Sequence, residues 1–177
     1  MKLVILDRDG VINHDSDAYI KSADEWEPLP GSLDAIAKLG QSGYHVVVAT
    51  NQSGIGRGLF EMGTLNAIHE KMYRAVAQAG GRIDAVFYCP HGAEANCACR
   101  KPKPGLLEEI GRRFNTLLKD VPVIGDALRD LQAASAVGAQ PILVLTGKGE
   151  KTRRDGNLPA GTRVYADLAA AVKFITK

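Results

Sequence analysis

Residues 2–10 read KLVILDRDG. The apolar, partly branched run KLVIL predicts a buried strand, and the chain then meets Asp7, Arg8, Asp9 and Gly10 with no transition. In open α/β sheets, ligands bind beyond the carboxyl ends of the strands, so charge at that position marks where chemistry is to be sought. Four further segments have the same form. HVVVAT (45–50) runs into Asn51-Gln52-Ser53-Gly54, and AVFYC (85–89) runs into a cysteine-rich loop. VPVIGD (121–126) ends on Asp126, and PILVLT (141–146) leads into a polar stretch.

The intervening segments have helical spacing. PGSLDAIAKLGQSG (30–43) offers Ser32 as an N-cap and Gly43 as a left-handed C-terminal cap. In TLNAIHEKMYRAVAQAGG (64–81), Leu65, Ile68, Met72, Ala75, Val76 and Ala79 share one face. A helix opening at Pro104 carries Leu106, Leu107, Ile110 and Phe114, and further helices are predicted over 127–138 and 167–175. Residues 11–30 lack periodicity and are expected to form a flap or hairpin. GIGRG (54–58) reads as a turn, because the third glycine of a dinucleotide loop is missing. Residues 147–162, with the basic run Lys148 to Arg154, read as a solvated polar loop. Alternating strands and helices predict an α/β fold, a Rossmann-like parallel sheet sandwiched by helices in one domain over 1–177. The gaps Asp7–Thr50 and Thr50–Lys101 are too short for a separate cap domain.

The bulk numbers exclude more than they assign. The chain has 177 residues, 45% hydrophobic and 24% charged, with net charge +2, too little to argue for nucleic acid or a membrane surface. No apolar run approaches the roughly 20 residues of a membrane span. The N-terminal apolar run is too short for a signal peptide, and the expected location is the cytoplasm. With no spare amphipathic helix, a monomer is expected.

The strand ends collect three acids (Asp7, Asp9, Asp126), a hydroxyl (Thr50) and a lysine (Lys101), with Asp130 one turn beyond Asp126. That set suits phosphoryl transfer from a phosphomonoester. One carboxylate attacks phosphorus. A second protonates the leaving alkoxide and then takes a proton from water. A hard cation, Mg²⁺, separates the carboxylates from the phosphate dianion. Lysine and backbone N–H groups hold the remaining oxygens.

All three cysteines lie within CPHGAEANCACRKP (89–102). Cys89, His91, Cys97 and Cys99 form a Cys₃His set, enough for a closed, structural zinc site. A reduced metal-free cluster, or Cys99 as a nucleophile, are the alternatives at this point. Zn²⁺ here would order a polar loop and fix Arg100 and Lys101 relative to Asp7.

DRDGVIN, TNQSG, RKPKPG and VIGDALRD, in this order and at strand ends, resemble the four motifs of the haloacid dehalogenase (HAD) phosphatase superfamily over residues 3 to about 147. The resemblance implies Asp7 as nucleophile, and Asp9 as general acid/base that also gives its carbonyl to Mg²⁺. It implies Thr50 and Lys101 on the phosphoryl group, Asp126 as the second Mg²⁺ carboxylate, and Asp130 as a support. The zinc loop, with DRDG and TNQSGIGRG, is similar to a subgroup of heptose-bisphosphate and histidinol-phosphate phosphatases. A chain ending at 177 with no second domain favours a phosphorylated sugar over histidinol phosphate. The implied activity is removal of the C7 phosphate of a heptose 1,7-bisphosphate, in lipopolysaccharide precursor synthesis. Asp15, Ser16, Tyr19, Asn51, Gln52 and Arg100 are the candidate substrate contacts, with Arg100 suited to a second phosphate. Ala127 stands where related chains carry lysine, and Arg129 is the candidate replacement. A polynucleotide 3′-phosphatase shares such a core, but the modest charge and 6% aromatic content do not suit strand binding. A zinc interaction module with a degenerate core is disfavoured by the complete acid set.

Overall fold

The computed structural model describes residues 1–177. Six parallel strands form one sheet in the order β3-β2-β1-β4-β5-β6. They are β1 (Lys2–Leu6), β2 (Tyr44–Asn51), β3 (Ala85–Cys89), β4 (Pro122–Gly125), β5 (Gln140–Val144) and β6 (Arg163–Tyr165). The helices are α1 (Ser32–Gln41), α2 (Ser53–Gly56), α3 (Met62–Gln78), α4 (Gly105–Arg113), α5 (Leu128–Ala136), α6 (Gly149–Asp155) and α7 (Leu168–Ile175).

Side chains of a strand alternate between faces, and both faces of this sheet are buried. Val4 and Leu6 of β1, with Val46 and Val48 of β2, pack under α1, α3 and α7. Leu3 and Ile5, with Val47 and Ala49, face Leu106, Leu107 and Ile110 of α4 and Ala133 and Ala134 of α5. This explains why the strands read as continuous apolar runs. The first two crossovers step from β1 outward to β2 and β3. The chain then returns to the other side of β1 for β4 and steps outward again. The reversal places a crevice at the carboxyl end of β1, between β2 and β4. No helix is long and apolar enough to cross a membrane.

Several expectations change. Residues 147–162 are not all loop, since α6 occupies Gly149–Asp155 and β6 follows. Helix α6 escapes detection because only Gly149 and Thr152 are buried, which leaves no apolar period to see. Ser32 is not an N-cap. Gly31 takes that position with φ 81°, and the Ser32 hydroxyl donates to the Val11 carbonyl at 2.8 Å. GIGRG does not begin as a plain turn, because Gly54–Gly56 belong to the single helical turn α2. Residues 11–30 form no regular hairpin. One antiparallel bridge, Asn13 to Pro28, closes the segment, and Val11, Ile12, Ile20 and Trp26 anchor it in the core. Gly43 does adopt the left-handed conformation expected of it, with φ 86°.

Candidate active site

The crevice brings the strand ends together. The Asp7 N–H continues the sheet by donating to the Ile124 carbonyl at 2.9 Å, which fixes the Asp7 side chain over the edge. Its Oδ1 accepts from Lys101 Nζ at 3.1 Å. Lys101 Nζ also pairs with Asp130 Oδ1 at 2.6 Å and donates to the Ala49 carbonyl at 2.9 Å. The amide of Asn51 holds Lys101 in both directions. Its Oδ1 accepts the Lys101 N–H at 3.2 Å, and its Nδ2 donates to the Lys101 carbonyl at 3.3 Å.

Asp126 follows β4. Its Oδ2 accepts the backbone N–H of Lys148 at 2.9 Å, and its carbonyl accepts from Thr152 Oγ1 at 2.7 Å. Helix α6 is therefore tied to the site through its one buried hydroxyl. Gly10, at φ 83°, presses against this carboxylate, and a Cβ there would overlap it. The glycine of DRDG is thus required by close approach as well as by backbone conformation.

Ligand oxygens of Asp7, Asp126 and Asp130 lie within 4.8 Å of one another, and all three residues are buried. Burial, then the Asp130 charge, pushes Asp7 up to about 6, against the pull of Lys101 and Arg129. Burial, then Asp7 and Asp130, pushes Asp126 up to about 8. Lys101 and Arg129 together do not neutralise three buried carboxylates, so the donor set fits a hard divalent cation. Asp130, expected as a support, stands within the cluster itself.

Asp9 lies in a different environment. Its Oδ1 accepts from Arg8 Nε and from Asn13 Nδ2, each at 2.9 Å. Its Oδ2 receives only Gln52 Nε2 at 3.4 Å. Burial raises its pKa, but the Arg8 charge and the hydrogen bonds from Arg8, Asn13 and Gln52 outweigh it and hold the carboxyl below its ordinary value. Thr50 Oγ1, at the end of β2, accepts from Gln52 Nε2 at 3.0 Å.

Above these groups is a cavity of about 190 Å³ whose apolar lining is limited to Tyr19 and Ile20. Asp7, Asp9, Asp15, Ser16, Tyr19, Thr50, Asn51, Gln52 and Arg100 line it together. Such a wall suits a hydroxyl-rich, phosphorylated ligand and not an apolar one. Sequence reasoning missed Arg57 and Lys148, which line the same cavity. Lys148 stands two residues beyond the predicted strand 141–146, and applying the strand-end rule to that strand would have found it. The flap is drawn over the cavity by Lys148 Nζ, 3.5 Å from Asp15 Oδ2. The Arg57 guanidinium also lies 6.0 Å from the Tyr19 ring centroid. Tyr19 has φ 69°, an uncommon conformation for a bulky residue and one that concentrates at functional sites.

The zinc-type ligands also converge. Cys89 Sγ lies 3.4 Å from His91 Nδ1, 3.5 Å from Cys97 Sγ and 2.7 Å from Cys99 Sγ. Cys99 Sγ is 3.4 Å from His91 Nδ1. The edges of a tetrahedral site with zinc–sulfur bonds of about 2.3 Å are roughly 3.5–3.8 Å. Three of the four separations lie near that length, the Cys89–Cys99 pair is closer and would open around an ion, and the Cys₃His donor set fits Zn²⁺. Slight burial raises the Cys97 thiol, but the Arg100 N–H and the neighbouring thiols outweigh it and bring the group down to about 6, whereas burial pushes Cys89 up to about 12 and Cys99 up as well. A bound cation would be what lets all three be thiolates together. This loop supports the phosphate side of the site. The Cys89 carbonyl accepts the Gln52 N–H at 2.7 Å, and the Pro90 carbonyl accepts the Gly56 N–H at 2.9 Å.

Comparison with known proteins agrees with this architecture. A HAD-hydrolase-like family model matches residues 98–171. A D-glycero-beta-D-manno-heptose-1,7-bisphosphate 7-phosphatase of Bordetella bronchiseptica is 61% identical over 173 residues, 98% of this chain and 97% of its own. The crystal structure of the D,D-heptose 1,7-bisphosphate phosphatase from B. bronchiseptica, complexed with magnesium and phosphate, superposes with TM-score 0.98. It is 60% identical, covering 99% of this chain and 98% of its own. The corresponding enzyme from Burkholderia thailandensis, 56% identical with full coverage of both chains, gives TM-score 0.81.

Proposed function

The chain belongs to the heptose-1,7-bisphosphate 7-phosphatase family, and from that premise we propose that it hydrolyses the C7 phosphomonoester of D-glycero-β-D-manno-heptose 1,7-bisphosphate. The relatives named above support the heptose substrate over histidinol phosphate and support the β anomer. The observation that carries the chemistry is the convergence of Asp7, Asp126 and Asp130 at one sheet edge, with Lys101 bonded to Asp7.

An Asp7 oxygen attacks phosphorus, and the bond from phosphorus to O7 of the sugar breaks. Asp9 supplies the proton that O7 takes up. Its hydrogen-bond partners favour the carboxylate, and the incoming phosphate dianion opposes them by raising the energy of a second negative charge nearby. Water then attacks the Asp7-bound phosphoryl group and gives its proton to Asp9, and inorganic phosphate leaves. Lys101 and the backbone N–H groups after Thr50 hold the phosphoryl oxygens, and Lys101 also keeps Asp7 ionised. A divalent cation at Asp7, Asp126 and the Asp9 carbonyl, Mg²⁺ by the chemistry of the oxygen donors, would shield the dianion from the carboxylates. Arg100, with Asp15, Ser16, Tyr19, Asn51 and Gln52, faces the rest of the substrate. Zn²⁺ has a structural role in the 89–99 loop. We further place the activity in the cytoplasm, in lipopolysaccharide precursor synthesis, carried out by a monomer without nucleic-acid or membrane partners.

The test is phosphate release with Mg²⁺ from the heptose bisphosphate and from histidinol phosphate in parallel, with Asp7→Asn alongside. A strong heptose preference, abolished in a folded, zinc-containing Asp7→Asn protein, is the expected result. An active Asp7→Asn protein would falsify the nucleophile assignment.

A further inference from the structure

Arg8 and His69 are among the buried polar side chains that take no part in the steps above. Arg8 is wholly buried, although it lies between two residues that face the cavity. A buried guanidinium needs acceptors, and it has two. Its Nε donates to Asp9 Oδ1 at 2.9 Å, and its Nη1 donates to His69 Nε2 at 3.0 Å. Arginine has only donors, so His69 Nε2 is the acceptor and the imidazole proton sits on Nδ1. Burial and the Arg8 charge hold the His69 pKa down to about 4, which keeps the ring neutral and able to accept.

His69 is on α3, in the row with Leu65, Ile68 and Met72. It is a polar acceptor on an otherwise apolar face, and it is itself buried. The two oxygens of Asp9 are unequal as a result. Arg8 and Asn13 both bond Oδ1, and Oδ2 has one long contact from Gln52. Oδ1 is thereby tied to the protein, and Oδ2 is the oxygen available to a proton and to the substrate.

We propose that His69 and Arg8 are positioning residues that pin Asp9 by Oδ1, so that Asp9 exchanges its proton with the leaving oxygen, and later with water, through Oδ2. The proposal rests on the reading of Asp9 as the acid/base. As the P–O7 bond breaks and the Asp7–phosphorus bond forms, the Oδ2 proton passes to O7, and the Arg8 charge stabilises the carboxylate that remains. Without an acceptor at residue 69, Arg8 turns and Asp9 loses its fixed orientation.

The test compares His69→Leu, which removes the acceptor, with His69→Gln, which supplies an amide oxygen. Each is compared with the unmodified protein in Mg²⁺ on the heptose bisphosphate and on p-nitrophenyl phosphate, whose leaving group needs no proton. His69→Leu is expected to lower kcat/KM for the sugar ester roughly ten- to hundredfold, the scale of a misplaced acid. On p-nitrophenyl phosphate kcat/KM should change little, and inhibition by inorganic phosphate should be unchanged. His69→Gln should recover most of the sugar-ester rate. Equal loss on both esters, weaker phosphate inhibition, or no difference between the Leu and Gln variants would overturn the proposal. If the unmodified protein does not turn over the heptose bisphosphate, the substrate reading fails separately, and another alkyl phosphate that it does cleave replaces the sugar ester in the comparison.

Discussion

Replacing Lys101 with methionine is the sharpest perturbation of the acid cluster. Methionine keeps most of the stem and deletes the charge. The Lys101 side chain is 4% exposed, and its ammonium serves Asp7 at 3.1 Å, Asp130 at 2.6 Å and the Ala49 carbonyl at 2.9 Å. Its loss leaves two buried carboxylates without their cation, and breaking a buried pair in this way costs about 3–5 kcal/mol. That is a large share of a typical domain stability of about 5–15 kcal/mol, so the variant should still fold but with a low margin. Asp7, already at about 6, rises further once the pull of Lys101 is gone. The stability loss should therefore be largest in metal-free protein at about pH 8 and shrink toward about pH 5, as the carboxyls take up protons. Urea unfolding at both pH values, with and without Mg²⁺, reads this directly. Turnover should fall about 10²–10³-fold, the scale of a lost charge-stabilising donor. A stability loss below about 1 kcal/mol at the higher pH, or a loss independent of pH, would refute the reasoning, because a buried ion pair cannot be removed so cheaply.

The wild-type cluster makes a related prediction. Asp7 and Asp126 are raised from 3.8 to about 6 and about 8, so between about pH 4 and pH 8 these two groups bind more protons in the folded state than in the unfolded chain. Their contribution to metal-free stability falls as pH rises through that window, and the rise in Tm on adding Mg²⁺ should be larger at about pH 8 than at about pH 5.5. His69 acts in the opposite sense below its unfolded pKa, and measuring the Mg²⁺ effect at each pH cancels it; an equal Tm gain at both would contradict the account. Asn51→Ala removes both bonds to the Lys101 backbone and should lower kcat about tenfold, in addition to any rise in KM from its place on the cavity wall, whereas a rise in KM alone would mean that the amide acts only on substrate and does not position Lys101. Cys97→Ser should reduce bound zinc, Tm and phosphatase activity together, because the Cys89 and Pro90 carbonyls hold the Gln52 and Gly56 N–H groups; full activity in a zinc-free protein would contradict a supporting role for the loop.

The parts of the site that were legible in the sequence are those written at strand ends. A strand's apolar run and the polar residue that stops it are adjacent in sequence, so Asp7, Thr50 and Asp126 could be located without coordinates. The Cys₃His set was legible for the same reason, being confined to one loop. What the sequence concealed depends on distance in the chain. The Asn51 amide meets the Lys101 backbone across 50 positions, and Arg8 meets His69 across 61. Neither spacing follows from a local period. His69 reads as one more residue on a helix, and only the packing of α3 under β1 gives it a partner. Helix α6 is hidden for another reason. It is tied to the site by Thr152 bonding the Asp126 carbonyl, and not by an apolar stripe.

The central claim is that this sheet edge cleaves one phosphate of two, and ³¹P NMR of the reaction with D-glycero-β-D-manno-heptose 1,7-bisphosphate and Mg²⁺ tests it most directly. The account predicts that the C7 phosphomonoester signal disappears as inorganic phosphate grows and the C1 signal persists. Loss of the C1 signal first, or no change in either, would contradict it.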